Sequence, residues 1–285
     1  MQSSFSQVFG LLGLAAALAV VPARGRQGAT EEWRAKETHL RNVVKLTSGG
    51  ENAEAYFSRD GKRLVFQSTP ASGGCDQIYS MKIDGSDRRR ISTGTGRTTC
   101  GYFYPAGDSI LFASTHLAGA ECPPKPGFER GYVWPIYASY DIFKTRQDGS
   151  GLDQLTKTPG YDAEATIAPD GLITFTSTRD GDMEIYTMRA DGSDVKRLTH
   201  RRGPDGGPFF SFDGQMIAFR GHELSEGPEL TDYLALLKEG LWRPTQLELC
   251  VMDREGKNIR QVTKLGGANF APSWTPDGKR LIFAS

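Results

Sequence analysis

A glycine-centred turn between two apolar runs recurs five times in this chain, and that recurrence leaves few folds open. The copies read FSRDGKRLVF, YPAGDSILF, IAPDGLITF, FSFDGQMIAF and WTPDGKRLIF, centred on Gly61, Gly107, Gly171, Gly214 and Gly278. Their spacings of 46, 64, 43 and 64 residues give a period of about 44, with roughly 20 extra residues in the second and fourth units. The flanks alternate or run apolar with β-branched and aromatic residues, and the glycine supplies the positive φ that a tight hairpin turn demands. A second pattern follows in each complete unit: QIYSMKIDGSDRRRIS, DIFKTRQDGSGLDQLT, EIYTMRADGSDVKRLT and ELCVMDREGKNIRQVT. It predicts two more strands around another turn. Four strands, A to D, at this period make one blade of a β-propeller. The expected fold is therefore an all-β propeller of four-stranded blades over residues 41–285, with about four and a half blades present.

Both ends of the repeat region look unpaired. RNVVKLTSGG at 41–50 matches the fourth strand alone, and the fifth unit stops at Ser285 after two strands. A propeller avoids sheet edges by closing its ring, commonly with an N-terminal outer strand that completes the last blade. On that logic the segment 41–50 is expected to complete the sheet begun at Asn269, and the chain is expected to be C-terminally incomplete.

The signature x-PDG-x-x-[LI]-x-F, then [DE]-I-[YF]-x-M-x-x-DGS and L-T, resembles the propeller repeat of the TolB family over residues 41–285. Similar repeats occur in the propeller domains of prolyl-oligopeptidase-type enzymes. The resemblance implies a ring of six blades when complete. Members of the TolB family carry an α/β domain before the propeller, whereas here only the charged linker RGRQGATEEWRAKETH, within residues 24–40, precedes it. The peptidase relatives need a Gly-x-Ser-x-Gly elbow, which these residues lack. The resemblance thus implies an exported, non-catalytic binding or scaffolding module of the cell envelope. The alternative is the propeller of a hydrolase whose catalytic domain lies past Ser285, and a third reading is a propeller enzyme acting on a sugar or lactone.

The N-terminus argues for export. An apolar run from Val8 to Val21 is short for a membrane span, and Val21-Pro22-Ala23 offers small-residue cleavage, so residues 1–23 read as a signal peptide. No Lys or Arg precedes the run, which keeps a retained anchor as the alternative. With cleavage, a periplasmic or extracellular protein without a membrane span is expected. The balance of 34 basic and 34 acidic residues gives no electrostatic reason to bind nucleic acid. The expected partner is another envelope protein or a peptide segment.

Function in a propeller belongs to the face where the D-to-A and B-to-C connections open around the channel. Counting nine and seven residues back from the turn glycines places Asn52, Glu54, Asp162, Glu164, Asp205 and Asn269 near one channel mouth. Such a ring could hold a cation or a basic peptide segment; the plainer reading is hydrogen bonding to backbone and channel water. Both long insertions rise from this face, in units two and four. They are expected to frame a groove over the third blade, with His116, Tyr132, Trp134, Tyr137 and His222 as candidate binding residues. In the second insertion Pro228, Gly240 and the stripe Leu230, Tyr233, Leu234, Leu237 and Leu241 predict a short amphipathic helix seated on the blades. Cys75, Cys100 and Cys122 converge here, with Cys75–Cys100 the preferred disulfide and Cys100–Cys122 the second choice. No paired Cys-x-x-Cys supports a metal, no nucleophile, base and orienter assemble, and no cofactor is expected.

Overall fold

The inner strands of this protein are set by hairpins whose glycines behave as the pattern requires. In the first, Gly61 at φ 69° donates its N–H to the Ser58 carbonyl at 2.8 Å, while Asp60 accepts from the Lys62 N–H at 3.1 Å. The computed structural model describes residues 38–285, so the proposed signal peptide and most of the charged linker lie outside the described residues. Four sheets each contain four antiparallel strands in chain order. Blade 1 comprises β1 (Glu51–Phe57), β2 (Arg63–Thr69), β3 (Gln77–Lys82) and β4 (Arg89–Arg90). Blade 2 comprises β5 (Thr98–Phe103), β6 (Ser109–Ser114), β8 (Asp141–Arg146) and β9 (Asp153–Gln154), with β7 (Trp134–Pro135) in its insertion. Blade 3 comprises β10 (Asp162–Ile167), β11 (Ile173–Ser177), β12 (Glu184–Met188) and β13 (Lys196–Arg197). Blade 4 comprises β14 (Asp205–Phe210), β15 (Met216–Gly221), β17 (Glu248–Asp253) and β18 (Arg260–Gln261), and its insertion holds α1 (Pro228–Lys238) and β16 (Leu241–Trp242). A further pair, β19 (Phe270–Trp274) and β20 (Leu281–Ala284), begins the next blade.

The apolar cores lie between blades rather than within them. Tyr104, Leu111 and Ile142 of blade 2 pack against Ala165, Ile167, Phe175 and Tyr186 of blade 3. Ile185 and Leu198 of blade 3 meet Ile217, Phe219, Cys250 and Met252 of blade 4. Cys250 stands where Tyr79, Phe143 and Tyr186 stand in the other third strands; it is buried, and burial raises its thiol pKa, as expected of an inert core residue.

Residues 41–50 form no strand. Leu46 nevertheless packs on Leu64, Phe66 and Met81, and its carbonyl lies against Gly85, where a Cβ would come within 3.4 Å. The carbonyls of Ile91, Leu155 and Leu198 lie in the same way against Gly149, Gly192 and Gly256. Leu46 thus repeats toward blade 1 the contact that each outer strand makes with the next blade. A strand needs ladder partners on at least one side, and among the described residues nothing pairs with this segment.

The two insertions are joined to each other. β7 and β16 pair antiparallel, Leu241 opposite Pro135 and Trp242 opposite Trp134, and so form a strap from blade 2 to blade 4. The helix is present, with Pro228 in its first turn and Gly240, at φ 71°, just past its end. Its buried residues are Leu230, Tyr233 and Leu236; Leu234, expected in the stripe, is 39% exposed, and Leu241 belongs to β16. Leu230 and Tyr233 join Tyr140, Tyr161, Met183 and Trp242 in one cluster, which seats the helix on the blades.

Candidate functional site

Every inner strand breaks its ladder register at the same place. Shifts fall between Ala53 and Tyr56, Thr99 and Tyr102, Ala163 and Thr166, Gly206 and Phe209, and Phe270 and Ser273. Inside each bulge one residue holds left-handed φ: Glu54 at 49°, Cys100 at 54°, Glu164 at 57°, Gly207 at 57° and Ala271 at 53°. Four of the five are not glycine, so the strand geometry imposes a conformation that L-residues resist. A bulge re-aims a side chain, and here all five bulge residues line one central cavity of about 170 Å³. Tyr56, Tyr102, Thr166 and Phe209, each two residues further on, add a largely aromatic second layer, and Trp134 and Phe270 complete the wall.

The polar layer is only partly neutralised. The Arg220 Nη2 donates to both oxygens of Glu164 at 2.7 and 2.9 Å, and Glu164 Oε2 also accepts from the Thr176 hydroxyl at 2.7 Å and the Gly207 N–H at 3.0 Å. Arg220 is buried, with its guanidinium 5.2 Å from the Trp242 ring. Gly207 is needed beside it, since a Cβ there would lie 2.1 Å from the Arg220 Nη1. Glu54 opens on the cavity and is solvent-exposed, with protein on the channel walls beside it. Desolvation by the protein around the channel raises its carboxyl pKa, the Cys100 thiol partly offsets this, and the nearby Glu164 adds to it. Burial together with Glu54 and Glu164 pushes the Cys100 thiol well above its ordinary pKa, so it stays protonated and is no nucleophile at neutral pH. Among the described residues no group of three or more His, Cys, Asp or Glu side chains is placed to hold a metal ion.

No family model matches the chain. It is 33% identical to the Tol-Pal system protein TolB of Desulfosudis oleivorans over 134 residues, 47% of this chain and 24% of that protein. It is 28% identical to a TolB homologue of Chlorobium luteolum over 178 residues, 62% of this chain and 34% of that protein. The solved structure of a putative TolB from Agrobacterium tumefaciens superposes with a TM-score of 0.58 at 21% identity, covering 80% of this chain and 73% of that one. The chain carries a TolB-like β-propeller. A puromycin hydrolase shares the fold at a TM-score of 0.53 and 14% identity, covering 83% of this chain and 34% of that one. The matches span less than half the length of each curated relative.

In this TolB-like propeller the six residues expected at the channel mouth divide into two groups. Glu54 and Glu164 line the cavity. Asn52, Asp162, Asp205 and Asn269 lie at the starts of inner strands and are bound elsewhere. Asp162 accepts from Arg179 at 2.9 and 3.0 Å and Asp205 from the Arg201 Nε at 3.1 Å. Asn52 accepts from the Ser68 hydroxyl at 2.9 Å, and Asn269 donates to the Leu247 carbonyl at 2.9 Å. The backbone N–H groups of Asp162, Asp205 and Asn269 also donate to Tyr140, Met183 and Leu247 of the preceding blade. Asp162, Asp205 and Asn269 thus staple blade to blade, while Asn52 bonds within blade 1.

The insertion residues separate too. Trp134 lines the cavity, and its indole N–H donates to the Tyr132 hydroxyl at 2.8 Å. Tyr137 donates to the Pro124 carbonyl at 2.7 Å. His116 packs on Phe143 at 4.5 Å with its Nδ1 2.8 Å from the Ser114 hydroxyl, and burial lowers its pKa. His222 lies 3.4 Å from Glu229 near the start of α1. The disulfide is Cys75–Cys122, with Cα atoms 5.5 Å apart, and neither expected pairing forms. Cys100 is excluded because its bulge directs it into the channel, while Cys75 and Cys122 face each other from neighbouring loops. The aromatic layer was missed, although counting five back from the turn glycines, rather than seven, reaches Tyr56, Tyr102 and Phe209. Nothing in the spacing marked Arg220, at the far end of a second strand.

Proposed function

We propose that this TolB-like propeller is an exported, non-catalytic binding module of the cell envelope, which holds a segment of a partner protein at the cavity beneath the strap. The observation that carries the reading is the convergence of five bulge residues, an aromatic layer and Trp134 on one cavity. A protonated Cys100 thiol and two histidines engaged at separate sites support binding over covalent chemistry. The similarity to the hydrolase propeller keeps an accessory role beside a catalytic domain as the competing function.

The test is a photo-crosslinking side chain placed, in cells, at Tyr132 on the strap or at Ile83 on the opposite turn face; both positions are exposed. A discrete protein adduct from Tyr132, absent from Ile83, is the expected result. Adducts confined to Ile83, or peptide hydrolysis by the purified protein, would overturn the proposal.

A further inference from the structure

We infer that the central cavity receives a basic side chain, an ammonium or guanidinium on an alkyl stem, presented by a partner segment; this rests on the binding function proposed above. The argument begins from charge. Glu164 is matched by Arg220, by the Thr176 hydroxyl and by the Gly207 N–H. Glu54 has no cationic partner within ion-pair distance among the described residues, and its neighbour Cys100 is a weak donor. The cavity therefore holds one carboxylate whose charge is unmatched and whose side chain is open to a ligand arriving from solvent. Protein walls beside it screen its charge less than bulk water would, which favours a cation docking there.

The walls select the kind of cation. The Tyr56 ring lies between Tyr102, at 5.4 Å, and Phe209, at 5.6 Å, tilted by 51° and 41° to them. Trp134 and Phe270 meet edge to face at 6.1 Å. Rings grouped around one carboxylate suit an organic cation, which the π faces attract and whose alkyl stem they cover. A bare metal ion would find too few oxygen ligands here. An anion would face Glu54 directly, because Arg220 is already engaged by Glu164. The volume of about 170 Å³ equals roughly five or six waters, enough for the few heavy atoms beyond the Cβ of lysine or arginine.

The experiment titrates the full chain with three capped tripeptides, Gly-Lys-Gly, Gly-Arg-Gly and Gly-norleucine-Gly. The readout is the fluorescence of Trp134, assigned by difference from Trp134→Phe. Lysine or arginine is expected to bind about tenfold or more tighter than norleucine, and the two basic arms show which head group is preferred. Glu54→Gln should reduce the basic peptides to the norleucine level. Tyr102→Leu should weaken them while leaving Glu54 in place, which keeps the test valid should the first variant fail to fold. Equal binding of norleucine and the basic peptides, or Glu54→Gln and Tyr102→Leu proteins that bind as the parent does, would overturn the inference. A flat titration beside a Tyr132 crosslink removes the basic side chain and leaves the binding function; a crosslink confined to Ile83 removes the binding function itself.

Discussion

Glu54 occupies a backbone conformation that resists it and surroundings that disfavour its charge, and both have measurable consequences. The groups facing it are Cys100, Glu164, Arg220, Asp76 and Tyr56. Desolvation by the surrounding channel walls is the dominant influence and raises the carboxyl pKa. Between its unfolded and folded pKa the native state binds more proton than the unfolded chain, so stability falls as pH rises through that window. Glu54→Gln removes the titration. Thermal melts at pH 4, 6 and 8 are expected to show the variant's advantage over the parent growing with pH, and a constant difference would mean that Glu54 ionises freely. The same residue shows what sequence reading reaches. Its place seven before a turn glycine brought it to one channel mouth with Glu164, and both do line the cavity. Asp162 and Asp205 stand nine before their glycines instead, and spacing alone could not tell that this offset leads to Arg179 and Arg201 rather than to the cavity, because those arginines come from loops at no fixed spacing.

At the level of elements, the blades were legible because turn glycines and alternating apolar runs are local signals. The strap was not. β7 and β16 contribute two residues each, too few to show a period, and their partners lie more than 100 positions apart. The helix was legible in existence and only partly in orientation. Helical spacing admits either Leu234 or Leu236 to an apolar stripe, and the choice depends on where the blade tops lie. Leu236 is fully buried and Leu234 is 39% exposed. Leu236→Ala is therefore expected to cost about 2–4 kcal/mol in urea denaturation, and Leu234→Ala less than about 0.5 kcal/mol. Equal losses would mean that the helix seats differently on the cluster around Tyr140 and Trp242.

Across the whole molecule, stability in a row of blades is close to a sum of blade and interface contributions, so each blade depends on how many neighbours it has. Blade 3 is packed on both sides, and every residue of β11 and β12 is buried. β1 is mostly exposed, and β20 has no fully buried residue. Hydrogen exchange on these 285 residues is accordingly expected to be slower in β11 and β12 than in β1 or β20, by about a hundredfold or more. Blade 1 has one compensation, the Cys75–Cys122 bridge to the blade 2 insertion, which spans 47 residues. A loop of that length restricts the unfolded chain by about 4 kcal/mol in the chain-entropy account. Replacing both cysteines with serine should therefore lower overall stability and speed exchange in β1 to β3. Blade 3, which the bridge does not touch, should keep the slowest exchange in the chain. Uniform exchange across all blades, before and after the replacement, would instead require the sheets to open as a single cooperative unit, and the blade-by-blade account of stability would then be wrong.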